Sequence, residues 1–200
     1  MMEKNFNVDL DPIGSNVRKS YAKCLKAIFV LFGKGNCGKT TTLRLLIDLL
    51  SSSQQLPQNK ADVRVIVEYK GKYIYISTYG DVKEEIYINH LFFEGRYDNS
   101  KILLFQNKEK MKTGVVSSYY KEYPPSIYVS ASRRDGETVI ANLSFATAKT
   151  RHICKYEWLL KNAENPSSLY NHNNPSNDDW AMAKHLKDLI DKVIDNKLIP

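Results

Sequence analysis

Residues 27–50 read AIFVLFGKGNCGKTTTLRLLIDLL and contain three successive patterns. Ala27–Phe32 is an unbroken apolar run, which is typical of a central parallel strand covered on both faces. Gly33–Gly38 interrupts this run at once. An amphipathic helix is predicted after the interruption, since apolar residues recur there at i, i+3, i+4 and i+7: Leu43, Leu46, Ile47 and Leu50. The segment therefore predicts a strand, a glycine-rich bend and a helix.

The bend, GKGNCGKT at residues 33–40, matches the pattern G-x-x-x-x-G-K-[ST] at every fixed position. A loop around a polyphosphate must direct backbone N–H groups inward, and glycine reaches the dihedral angles that this requires. The following helix presents its partial positive end to the anion. Lys39 is expected to contact the β- and γ-phosphates, Thr40 to bind Mg²⁺, and Thr41 to lie near the α-phosphate. The predicted nucleotide-binding residues are Gly33, Lys34, Gly35, Asn36, Cys37, Gly38, Lys39, Thr40 and Thr41.

In these residues the chain resembles the P-loop nucleoside triphosphate hydrolase superfamily, and Thr78–Asp81 adds weaker support. The resemblance implies ATP or GTP as the bound nucleotide, with Mg²⁺, and it identifies no subfamily. Lys34 stands where deviant-loop ATPases of the chromosome-partition and nitrogenase-iron-protein type carry a lysine that reaches across a dimer. Asn36 departs from their K-G-G-x-G-K-T pattern. A homodimer and an ordinary solvated lysine are therefore alternative interpretations of Lys34.

A P-loop protein also needs an acidic group beside the loop, usually at the end of a strand. The apolar segment Ile74–Thr78 ends just before Gly80 and Asp81. Asp81 is predicted to hold Mg²⁺ directly or through water. Its alternative role is to cap a helix that begins at Val82. The predicted metal ligands are thus Thr40 and Asp81.

A pair of arginines follows another apolar strand, within the sequence Ser130–Arg134. Arg133 or Arg134 is predicted to neutralise charge on a transferred phosphoryl group or to grip a second phosphorylated substrate. A solvent-facing turn is the alternative. Lys39, Asp81 and Arg133 are the predicted catalytic residues.

The pattern along the chain predicts an α/β fold, with a mainly parallel β-sheet, helices on both faces in three layers, and one β-hairpin. The hairpin is formed by Val63–Tyr69 and Tyr73–Thr78, because Lys70-Gly71 separates two β-prone runs. Further elements are predicted as follows: strands at Lys101–Phe105 and Ile127–Ser130, and helices at Val82–Phe93 and Gly136–Ala148.

Residues 1–200 are predicted to form a single domain with three less regular or terminal parts. These are an irregular arm at 1–22, a loop or lid at 163–179, and a final helix at 180–196. Asp178 or Asp179 is expected to cap that helix, since aspartate is a favoured N-cap.

The base of the nucleotide is considered by comparison with the guanine-reading N-K-x-D motif, which the chain matches only in part. Residues Asn107–Lys110 read NKEK. Lys110 stands in place of the aspartate that accepts hydrogen bonds from guanine, and a lysine cannot accept them. ATP is therefore favoured over GTP.

Composition limits the class of protein and its location. The formal net charge of +7 and pI of about 9.1 suit either an anionic partner or a solvated lysine-rich surface. Three cysteines without ligand spacing favour a reducing compartment. Residues 1–20 contain no signal-like apolar stretch, and Ala27–Phe32 is far shorter than the roughly 20 residues of a membrane span. A cytoplasmic location without membrane association is predicted.

Three functions follow from these patterns: an Mg-dependent ATPase coupled to conformational change, a small kinase, and a non-catalytic module that nucleotide regulates. Whether the chain is an enzyme stays open among them. The predicted partners are a nucleotide and, in the alternatives, a second phosphorylated substrate, a nucleic acid or a second copy of the chain.

Overall fold

The computed structural model describes residues 25–51, 62–93, 101–106, 109–115, 123–133, 136–142, 155–160 and 176–197. In chain order the strands are β1 (Ala27–Gly33), β2 (Arg64–Tyr69), β3 (Lys72–Ser77), β4 (Lys101–Gln106), β5 (Glu109–Val115), β6 (Ile127–Arg133) and β7 (Lys155–Leu160). The helices are α1 (Lys39–Ser51), α2 (Lys83–Phe93), α3 (137–142) and α4 (Asn177–Ile194). Within these residues, no helix is both long and apolar enough to cross a bilayer.

The described strands form one mixed, mostly parallel sheet in the order β5-β4-β2-β3-β6-β1-β7. β1 lies between β6 and β7 and runs parallel to both, and β3 is parallel to β6. β2 is antiparallel to β3 but parallel to β4, whose other neighbour, β5, is antiparallel. The predicted α/β class with a hairpin is therefore confirmed.

A two-residue turn fixes the hairpin between β2 and β3. Lys70 and Gly71 both have positive φ angles, of 50° and 70°. This combination is characteristic of the type I′ turn, whose twist matches that of the paired strands. The turn sets the register in which Arg64 pairs with Ser77.

Several chain segments meet at one side of the sheet, where strand ends lie next to one another; this side is called here the loop edge. Strands β1, β3 and β6 end there, at Gly33, Ser77 and Arg133. Because β2 runs in the opposite direction, its first residue, Arg64, lies at the same edge. Gly33 also pairs with Arg133 across β1 and β6. The bend after β1, the segment before β2 and the segments after β3 and β6 are therefore neighbours.

Helices cover both faces of the sheet. Successive residues of a strand point to opposite faces of the sheet. The contacts of neighbouring residues in β2 therefore show which helices cover each face. Val65 and Val67 belong to the main core, to which α1 and α4 contribute, whereas Arg64 donates a hydrogen bond to Asn89 of α2. Ser132 of β6 likewise contacts Thr138 of α3, on the face of α2. The helices therefore make two outer layers around the sheet.

The main core lies between the sheet, α1 and α4. Seven of its fully buried members are Phe29, Leu31, Leu43, Leu46, Ile47, Leu186 and Ile190. Burial of each such side chain contributes roughly 1.5–3 kcal/mol, so this face supplies much of the stability. It also fixes α1, and hence the bend before α1, against the sheet.

Some element boundaries differ from the prediction. Helix α4 begins at Asn177, not at 180, and its N-cap is Ser176. Asp179 is the N3 partner in a capping box with Ser176, so the prediction that Asp178 or Asp179 is the cap was wrong. Strand β6 continues to Arg133 instead of ending at Ser130. Strands β5 and β7 were not predicted, and the predicted arm at 1–22 and residues 163–175 of the loop or lid lie outside the described residues.

Asp48 of α1 is expected to make stability depend on pH. Its Oδ1 atom is buried and has no hydrogen-bond partner among the described residues. Burial raises the pKa of the carboxyl from 3.8 to about 6, although the nearby Arg44 opposes the shift. The folded state therefore binds this proton more tightly than the unfolded state. The stability that the protonated group provides is complete below about pH 4 and is lost as pH rises through 6.

Asp48→Asn should consequently stabilise the protein at pH 7.5 by on the order of 1 kcal/mol, a value reduced because the residue is only partly buried. At pH 4 the two proteins should be nearly equal, because the native aspartate is then mostly protonated. Urea unfolding at both pH values measures the difference. An equal difference at the two pH values would contradict this assignment.

Candidate functional site

The segment that joins β1 to α1 is a bend with two left-handed residues. Asn36 and Gly38 have φ angles of 58° and 87°. Glycine adopts this conformation without steric cost, and asparagine tolerates it better than most residues. Lys34, Gly35 and Asn36 are exposed, whereas Cys37 is buried. The first half of the bend thus faces solvent while the second half is anchored.

Helix α1 begins immediately after the bend. A backbone hydrogen bond of 2.8 Å runs from Thr42 N to Gly38 O and opens the helical ladder. The amides of Lys39, Thr40 and Thr41 precede that bond, and so belong to the first-turn N–H groups that a helix cannot satisfy internally. These groups and the helix dipole favour an anion at this end.

Lys39 places a buried cation inside the bend. The residue is only 6% exposed. Its Nζ donates to the carbonyl oxygens of Gly33 at 3.2 Å and Lys34 at 2.8 Å, and lies 3.9 Å from Cys37 Sγ. Carbonyl oxygens satisfy the ammonium hydrogens without neutralising the charge, and a buried charge is costly unless it is paired. The bend therefore offers an incoming anion a fixed positive charge.

Asp81 lies between two cations at the loop edge. Its Oδ1 is 3.8 Å from Lys39 Nζ and 3.6 Å from Arg133 Nε. The Asp81 and Arg133 side chains are 55% and 52% exposed. The exposed Arg133–Asp81 pair contributes little and is screened by salt, whereas the Lys39–Asp81 pair joins a buried ammonium to an exposed carboxylate. The structure thus brings together the three residues predicted to be catalytic: Lys39, Asp81 and Arg133.

Thr40 contacts a carboxylate that the sequence analysis missed. Its hydroxyl donates to Asp62 Oδ1 at 3.3 Å, and Thr78 donates to the same oxygen at 2.8 Å. Asp62 precedes β2, so it stands at the start of a strand and not at the end of one. The signal was nevertheless present, because the predicted hairpin already places the residue before β2 beside the residue after β3.

Other candidates lie around this centre. Thr41 is buried in the first turn of α1, and the neighbouring Thr42 donates to Asp179 Oδ1 of α4 at 3.3 Å. Glu85 forms an ion pair with Arg64 on the face of α2. Arg134 lies outside the described residues.

No protein-family model matches this chain, and no curated protein or solved structure is significantly similar to it. Its function is therefore inferred from the residues of the site.

Proposed function

We propose that the chain binds a nucleoside triphosphate as its Mg²⁺ complex at the bend of residues 33–40. The buried ammonium of Lys39, held by the carbonyl oxygens of Gly33 and Lys34 beside the N-terminus of α1, is the observation that carries the proposal. A buried cation next to the positive end of a helix dipole favours a polyanion over a neutral ligand. The glycine-rich sequence of the bend points to phosphate as that anion.

Magnesium fits the side chains at the loop edge. Thr40 supplies a hydroxyl oxygen, and two carboxylates lie near the bend: Asp62 contacts Thr40, and Asp81 contacts Lys39. Within the described residues no group of three or more His, Cys, Asp or Glu could hold a metal alone. Mg²⁺ does not require one, because it usually takes one or two protein oxygens together with substrate phosphates and water. When bound, it would neutralise phosphate charge and orient the terminal phosphoryl group.

Hydrolysis coupled to a conformational change is the favoured reaction. The terminal phosphate would compete with Asp81 for Lys39, since both are anions and the ammonium is the shared partner. Release of Asp81 would free Arg133, which is then available to stabilise charge on the phosphoryl group. Nucleotide binding would in this way alter contacts between the segments that follow β3 and β6.

The base is proposed to be adenine. The residues that echo a guanine-reading motif include Glu109 and Lys110, and these two begin β5. Strands β4, β2, β3 and β6 lie between β5 and β1. Glu109 and Lys110 of the partial N-K-x-D motif are therefore remote from the strand that leads into the bend, and their position gives no support to GTP.

The test is Mg·ATP turnover by the purified full chain, with Mg·GTP as the comparison. Release of inorganic phosphate without an acceptor supports the ATPase. Labelled phosphate on a nucleoside monophosphate or another small acceptor supports the kinase, for which the half-exposed Arg133 provides a cation at the same edge. Saturable binding without turnover supports the module. Absence of binding to either nucleotide in calorimetry would refute all three.

A further inference from the structure

A single carboxylate oxygen connects the first turn of α1 with the segment after β3. Asp62 Oδ1 accepts hydrogen bonds from Thr40 at 3.3 Å and from Thr78 at 2.8 Å. We propose that Asp62, and not Asp81, is the positioning carboxylate that orients Thr40 toward the magnesium ion of the bound nucleotide. This inference rests on the proposed function and assigns a residue to the metal side of that site.

The position of Asp62 is fixed by the hairpin. Val63 N donates to Thr78 Oγ1 at 2.9 Å, and Thr78 N donates to Val63 O at 3.0 Å. These bonds extend the β2–β3 ladder beyond the pair Arg64–Ser77. They hold Asp62 beside Thr78, so its carboxylate reaches the loop edge from an antiparallel strand. The carboxylate thus stands at the end of β3 without belonging to β3.

The hydrogen-bond directions suit a metal-binding role for Thr40. A hydroxyl has one proton and two lone pairs, and Thr40 gives its proton to Asp62. The lone pairs of the Thr40 oxygen are then the part of the group that is left for a cation. A carboxylate that accepts the proton of a ligand fixes the ligand's orientation and increases its basicity, and loss of such a partner typically weakens metal binding 10- to 100-fold.

The charges around the two carboxylates separate their roles. Asp81 lies near two cations, Lys39 and Arg133, although exposure of its carboxylate weakens both pairs. The described partners of Asp62 are two hydroxyls, which are neutral. A cation beside Asp62 therefore meets a carboxylate with no cationic partner among the described residues, whereas a cation beside Asp81 also approaches Lys39 and Arg133.

The experiment compares the wild type with Asp62→Asn and Asp81→Asn in the full chain. Calorimetry measures the affinity for a non-hydrolysable ATP analogue, first with excess EDTA and then with Mg²⁺. Asparagine has nearly the same shape, so both variants should fold, and thermal melting checks this. It lacks the negative charge, so it holds the proton of Thr40 much more weakly than the carboxylate does. The quantity of interest is the ratio of the two affinities, because a merely structural defect would weaken binding with and without metal alike.

In the wild type, Mg²⁺ should strengthen binding by at least about tenfold. Asp62→Asn should reduce this ratio to below about threefold, while the affinity in EDTA stays equal or improves because a negative charge has been removed. Asp81→Asn should preserve the wild-type ratio. Electron paramagnetic resonance with Mn²⁺ and the analogue should show that the wild type and Asp81→Asn retain the metal better than Asp62→Asn does.

Retention of the magnesium effect in Asp62→Asn would overturn the assignment, whatever Asp81→Asn does. Loss of the effect in both variants would also overturn it, since Asp62 would then have no distinct role. A wild type that binds the analogue under neither condition would instead show that the proposed function itself is wrong.

Discussion

Lys39→Ala is expected to weaken nucleotide binding by at least about 100-fold, because the ammonium supplies charge-assisted hydrogen bonds worth about 1.5–3 kcal/mol each. The same change should leave the fold intact. The described partners of Lys39 Nζ are loop carbonyls, a sulfur atom and an exposed carboxylate, and none of these belongs to the main core. Removal of an incompletely compensated buried charge should alter the free energy of unfolding by no more than about 1 kcal/mol.

Lys72→Ala is the matched control for this prediction. It removes one lysine charge from an exposed position at the start of β3, at the sheet edge opposite the bend. Its nucleotide affinity should stay within about twofold of the wild type, because surface charges beyond a Debye length are screened. Calorimetric titration of the three proteins with Mg·ATP decides the outcome. An affinity for Lys39→Ala equal to that of the control would mean that the bend is not the binding site.

The part of the fold around the bend was predictable because its determinants are local. The apolar run of β1 and the glycines after it lie within one short segment, and the periodicity that marks α1 follows directly. The hairpin was equally local, since Lys70-Gly71 sets both its turn and its register. The bend therefore lies between β1 and α1, as the sequence pattern predicted.

Elements whose limits depend on distant partners were predicted less well. Strand β6 extends to Arg133 because it pairs with β1 along the whole length of Ala27–Gly33. No feature of the sequence SASR itself favours a strand there. Helix α4 begins at Asn177 because the side chains of Ser176 and Asp179 cap it reciprocally. The predicted start at 180 overlooked that serine.

In the candidate site the geometry of the bend was predictable, whereas one of the two carboxylates near it was missed. Asp81 was found because it follows an apolar strand, and it does reach Lys39. Asp62 was missed because the acidic partner of the bend was expected chiefly at the end of a strand and not before the start of one. An antiparallel strand brings its first residues to the same edge as the last residues of its neighbours, so both ends must be searched in a mixed sheet.

Gly80→Ala is expected to destabilise the protein by about 2 kcal/mol or more, because overpacking against backbone usually costs 1–3 kcal/mol. A Cβ atom at Gly80 would lie 2.5 Å from the Ala131 carbonyl carbon and 2.7 Å from its oxygen. Both atoms belong to β6, which is paired on its two sides by β1 and β3 and so cannot easily move. The segment after β3 must therefore shift away from β6.

Such a shift of the segment after β3 would also move Asp81 and so change the geometry of the candidate site. Asp81 follows Gly80 directly, and its carboxylate reaches Arg133, which lies two residues beyond Ala131 on the same strand. Gly35→Ala is the control, because a Cβ there meets nothing within 4 Å, and its stability should change by less than about 0.5 kcal/mol. Urea unfolding of both variants measures the difference. Equal stabilities would show that the contact between Gly80 and Ala131 relaxes without cost, and the position of Asp81 would then depend on its two ion pairs alone.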